Sequence, residues 1–239
     1  MKKVVTILSA VLFVALMLTA GIGQADTLFV GGTYPTSYDF TLNGVQEAPV
    51  GGGSVSPSTL NGLTLPFLYC IDIPDNVIVS TPYNASVVTH NGVANFDHVL
   101  GTTSNSPIPN VIAVAYLLHT FAPATAGANQ QSNAAQGLQL AIWNEEYSIN
   151  NQTFVANFTD FGAGSVYSYY TADLAALAAL GSNVPDYVSD FDWISPGDGS
   201  ANVYQGLVTS VPEPGTIMLL GVGVLGLAAF GRRRMNNKV

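Results

Sequence analysis

The only cysteine of this 239-residue chain, Cys70, stands in the apolar run Phe67-Leu68-Tyr69-Cys70-Ile71-Asp72-Ile73. An internal disulfide is excluded, since no second cysteine exists. A lone thiol in an exported chain pairs with another molecule, acts as a reactive group, or fills space as a small buried hydrophobe. Gln139 is the second residue with chemical interest. In Gly137-Leu138-Gln139-Leu140-Ala141-Ile142-Trp143 it precedes Ile142 by three positions and Trp143 by four. On a helix that spacing puts its carboxamide on the apolar face. A buried amide left unpaired costs ~1–3 kcal/mol, so Gln139 either bonds to nearby backbone or meets Cys70. In the second case the sulfur adds to the carboxamide, ammonia leaves, and a Cys–Gln thioester remains. An amide is a poor electrophile. Rigid placement supplies an effective molarity of ~10⁵ M or more, and donors at the carbonyl oxygen stabilise the tetrahedral intermediate. Tyr69 and Trp143 are the expected shields against water.

The elements that must position this pair follow from periodicity. Residues 26–106 are rich in Gly, Pro, Ser, Thr and Asn, with short apolar or alternating runs at 27–30, 36–46, 63–73, 76–80 and 85–89, expected as strands. Three helices are then expected. The first covers 108–121 and closes at Pro123; the second covers 130–149, capped by Ser132 or Asn133, with Ala135, Leu138, Ile142 and Trp143 on one stripe. The third runs to Gly181, with Val166, Tyr170, Leu174 and Leu177 on one face. Strands resume near 189–194 and 201–209. The expected class is α+β: a β-sandwich or barrel carrying an inserted helical subdomain over about 108–181.

The segments "YCID" on a strand, "AYLLHTF" on a helix and "QLAIW" on the next helix resemble the thioester domain of bacterial surface adhesins. The resemblance covers roughly 60–210 and implies that Cys70 and Gln139 form the cross-link. It further implies single-use covalent attachment to an amine or hydroxyl on a partner surface or matrix, with no cofactor and no turnover enzyme. A non-reactive structural protein of an extracellular matrix or biofilm is the alternative, with Cys70 as inert packing.

Both ends read as export signals. Met-Lys-Lys, an apolar run to about Ala20 and the small residues Gly23 and Ala25 predict a signal peptide over 1–25, cut by signal peptidase. At the other end, Val211-Pro212-Glu213-Pro214 precedes an uncharged run, 215–231, expected as a short transmembrane helix. Arg232, Arg233 and Arg234 follow, which favours a cytoplasmic tail at 235–239. This order resembles the PEP-CTERM sorting signal over 211–234. In that family an exosortase cleaves beside the Pro-Glu-Pro and releases the protein to the cell surface or matrix. The ectodomain, 26–210, would therefore be anchored in the membrane only until processing.

All six Lys and Arg residues lie at positions 2, 3, 232, 233, 234 and 238, and all fifteen acids lie between them. A basic patch for nucleic acid is excluded. Lysine-based isopeptide bonds are excluded equally, and a lysine-free surface would spare a thioester from self-reaction. His90, His98 and His119 show no catalytic spacing. Asp190, Asp192 and Asp198 gather near a Gly turn, but their spacing departs from an EF-hand loop, so a solvated acidic turn is expected there and no metal is assigned.

Overall fold

A computed structural model of the chain describes residues 25–32, 38–46, 54–73, 76–96, 104–127, 131–148, 153–200 and 202–211. The predicted signal peptide (but for Ala25) lies outside them, as do Pro212, Glu213, Pro214, the expected membrane helix 215–231, Arg232 to Arg234 and the tail. Among the described residues no helix is long and apolar enough to cross a membrane.

The strands, in chain order, are β1 (Asp26–Val30), β2 (Phe40–Leu42), β3 (Val45–Gln46), β4 (Thr59–Leu60), β5 (Leu63–Thr64), β6 (Tyr69–Cys70), β7 (Thr81–Thr89), β8 (Val93–Phe96) and β9 (Ser104–Pro107). Helix α1 (Val111–Phe121), helix α2 (Asn133–Tyr147), strand β10 (Phe154–Ala156) and helix α3 (Val166–Ala178) follow, and β11 (Phe191–Ser195) and β12 (Leu207–Ser210) complete the order. The mixed α+β composition matches the expectation. Seven strands form one antiparallel sheet in the order β5-β4-β1-β7-β11-β12-β6, curled into a half-barrel. β10-β2-β3 and β8-β9 make two smaller sheets. The expected sandwich or barrel is met in part: the sheet curls, but β5 and β6 end the order and do not pair with each other.

Two Asn-Gly steps explain breaks that periodicity alone did not locate. Asn43-Gly44 and Asn61-Gly62 all have positive φ, the backbone that two-residue hairpin turns demand, so the runs around them fold back as β2–β3 and β4–β5. Pro66 has no N–H to give a ladder, and the expected strand 63–73 is split on either side of it. Residues 76–80 are not a strand. Ile78 is 58% exposed, and the Tyr83 hydroxyl clips the segment as a loop by accepting from the Ile78 N–H (2.6 Å) and donating to its carbonyl (3.3 Å). The expected strand 85–89 is instead the end of β7, which starts at Thr81.

Each helix forms where its pattern placed it. The Ser132 hydroxyl accepts from the Ala135 N–H to cap α2, and Ser165 does the same for α3 through Ser168. Gly181, at φ +56°, ends the turn after α3. Helix α2 is the hub: Ala135, Leu138, Ile142 and Trp143 are all fully buried. It packs against α3 at unusually close range. A Cβ added to Gly137 would lie 2.6 Å from the Tyr169 Cβ and 2.8 Å from the Tyr170 nitrogen.

Candidate functional site

β6 is an edge strand, so half of its backbone groups face away from the sheet. In its antiparallel pairing with β12, Leu207 faces Cys70 and Val208 faces Tyr69, and the Ile71 N–H donates inward to the Gly206 carbonyl (3.0 Å). Leu68 and Cys70 therefore point their N–H and C=O outward, and such groups need partners when buried. All four are met without another ladder. The Leu68 N–H donates to Ser54 Oγ (3.2 Å), and its carbonyl accepts from the Val55 N–H (2.9 Å). The Cys70 N–H donates to Gln139 Oε1 (3.0 Å), and the Cys70 carbonyl accepts from Gln139 Nε2 (2.7 Å). A side-chain amide thus takes the place of a neighbouring peptide group. Cys70 and Gln139, 69 residues apart in sequence, are held together at the sheet edge, 2% and 0% exposed.

A second clasp fixes the angle of α2. The Ile73 N–H donates to the Tyr147 hydroxyl (3.0 Å), which itself donates to Asp72 Oδ1 (3.0 Å). From Cys70 to Ile73 an extended chain advances about 10 Å. From Gln139 to Tyr147 a helix advances about 12 Å. The similar spans let helix and edge run side by side, with one tie at each end. Gln205 Nε2 adds a bond to the Asp72 carbonyl.

The environment is apolar and anionic in potential. Burial, then Asp72 and Glu146, push the Cys70 thiol up to about 12, so it is protonated at neutral pH. Glu146, seven residues after Gln139, is fully buried, and neither carboxylate oxygen has a hydrogen-bond partner among the described residues. Burial above all, with Asp72 and Glu145, raises its carboxyl well above the usual range and favours the neutral acid. Sequence reading passed over Glu146 inside "NEEY". Its helical phase with Gln139 was the available signal.

Of the two expected shields, Tyr69 is fully buried and its hydroxyl is bonded to Thr125 Oγ1 (2.6 Å). Trp143 is also fully buried, beneath Tyr38 (5.7 Å, edge-on) and Phe40 (5.6 Å). Tyr38 is therefore the outer layer, a residue that sequence reading missed. The acidic segment disperses: His119 lies 3.5 Å from Asp190, His90 lies 3.1 Å from Asp192, and the Tyr204 hydroxyl donates to Asp198 (2.7 Å). Among the described residues no three metal-ligating side chains converge. His98 lies outside the described residues.

The PEP-CTERM protein-sorting motif matches residues 210–234. No curated protein and no solved structure matches the chain. The motif makes this an exported chain addressed to exosortase, with the cell surface or extracellular space as its destination.

Proposed function

We propose that the exported domain is a single-use covalent capture module whose reactive bond is a Cys70–Gln139 thioester. The observation that carries this reading is the two-point bond between the Gln139 carboxamide and the Cys70 main chain, in full burial. It holds the carboxamide carbon beside the residue that bears the sulfur, without side-chain freedom on the glutamine, which is the placement that intramolecular acyl transfer rewards. In the first step the Sγ–H adds across the Gln139 carbonyl. The Cδ–N bond then breaks, the nitrogen leaves as ammonia carrying the thiol proton, and Sγ–Cδ is formed. With the thiol held at about 12, that proton must be passed to the departing nitrogen rather than shed to water. In the second step a nucleophile on a partner attacks Cδ, the Cδ–Sγ bond breaks, and its proton returns to the thiol.

Intact mass tests the reading. The native chain is expected to be lighter by one ammonia, to incorporate methylamine, and to resist thiol alkylation until then. Cys70→Ala abolishes all three effects. A full-mass chain with an alkylatable thiol after unfolding would overturn it.

One observation favours a second reading, a non-reactive matrix protein. The same carboxamide satisfies two edge-strand groups, which is a sufficient structural reason for a glutamine at this position.

A further inference from the structure

A cavity of about 450 Å³, within the ~300–1,000 Å³ range of ligand sites, opens on the outer side of α2. Its inner wall is Tyr38 together with Leu140, the residue after Gln139. Tyr38 is 6% exposed and stands edge-on against Trp143, and its buried hydroxyl has no hydrogen-bond partner among the described residues. Burial above all, then Tyr69 and Cys70, raises that hydroxyl's proton affinity. Tyr38 therefore lines the cavity on one side and covers Trp143, four residues after Gln139 on α2, on the other.

The rest of the lining is chosen for neither anions nor greasy ligands. Asn133, Gln136 and Asn157 present carboxamides, Asp39 and Asp160 present carboxylates, and Phe158 adds a half-exposed ring. Each carboxamide donates one N–H inside the protein, Asn133 to the Gly164 carbonyl, Gln136 to that of Gln131 and Asn157 to Asp39, and each carries a second N–H and a carbonyl oxygen. An ammonium ion would use only acceptors. A sugar hydroxyl both donates and accepts, and a pyranose ring has an apolar face for Phe158. Anionic polymers meet two carboxylates and no cation, since the chain has no Lys or Arg between Val4 and Gly231.

We propose that this cavity binds a neutral oligosaccharide segment and presents one of its hydroxyls, past Tyr38, to the Gln139 acyl group. The second half rests on the thioester reading; the first does not. The test uses the full chain carrying Cys70→Ala, titrated with maltoheptaose, cellopentaose and chitopentaose, and with cadaverine and heparin oligosaccharide as amine and anionic arms. Binding is read by saturation-transfer NMR. At least one neutral saccharide is expected to bind, and Gln136→Ala and Asn157→Ala, shown to be folded by thermal melting, are expected to weaken it at least tenfold. In the Cys70-containing chain the same saccharide should become ester-linked at Gln139. If none of the three binds, if both variants bind unchanged, or if cadaverine is captured while saccharide is not, the proposal is overturned. Binding by the Cys70→Ala chain, with no ammonia loss in the native chain, would keep the saccharide site and remove the thioester.

Discussion

At the scale of single residues, the Gln139 carboxamide serves the Cys70 backbone and, in the proposed reaction, its sulfur, and the two duties separate by mutation. Gln139→Ala strands a buried N–H and a buried carbonyl, each worth ~1–3 kcal/mol, so urea denaturation should show a loss of about 2–6 kcal/mol. Compared with chain that retains the Gln139 amide, Cys70→Ala keeps both bonds, which come from the main chain, and should cost only about 1 kcal/mol for one missing buried atom. Equal losses would mean the edge clasp is not as described. Titration offers a second check. Asp173, on the buried side of α3, is raised by burial to about 7. A carboxyl whose folded pKa exceeds its unfolded value of ~3.9 gives its full relative stabilisation below that value and loses it as pH rises through about 7. Thermal stability should therefore fall between pH 4 and pH 7, and Asp173→Asn should flatten that slope. Glu146→Gln should flatten it further, because its raised carboxyl acts in the same sense.

Among the elements, α2 transmits position. Gly137 lets the backbone of α3 approach α2 from the face opposite the sheet edge, and Gln139 lies half a turn further on. Gly137→Ala forces the helices apart and should destabilise the domain by about 1–3 kcal/mol in chemical denaturation. It should also lower thioester yield by intact mass, since the helix that carries the carboxamide shifts. How much of this was legible in the chain follows the same boundary between local and distant. Gln139, Ile142 and Trp143 announced their shared face through helical spacing, and Ser132 and Gly181 marked helix ends. The edge geometry of β6 depended on Ser54, Val55 and Gly206, which no local pattern ties to Cys70. Tyr38 was invisible for the same reason, whereas Glu146 shares the helical phase of Gln139 and carried a local signal. β8, β9 and β10 are only three or four residues long, so alternation did not reveal them, and residues 76–80 were apolar enough to pass for a strand while lying on the surface.

For the molecule as a whole, charge and destination work together. The fifteen acids all lie between Val4 and Gly231, and with no Lys in that stretch it carries no side-chain primary amine. The proposed acyl group would then meet no lysine amine from this stretch of its own chain or of neighbouring copies. Export should depend on the sorting motif: changing Pro212, Glu213 and Pro214 together to alanine should leave unprocessed chain in the envelope fraction, as read by fractionation and intact mass. Secretion at the native level would show that exosortase does not read these residues.

The amide clasp on β6 also makes the fold its own gauge of chemical history. Losing the Gln139 nitrogen would remove the donor from the Cys70 carbonyl while leaving an oxygen for the Cys70 N–H. The two peptide bonds that flank the Cys70 Cα would then diverge, with a lowered hydrogen-exchange rate retained at the Cys70 N–H and a shifted stretch at the Cys70 carbonyl. A single isotope label at that position would tell armed, intact and spent molecules apart without opening the protein.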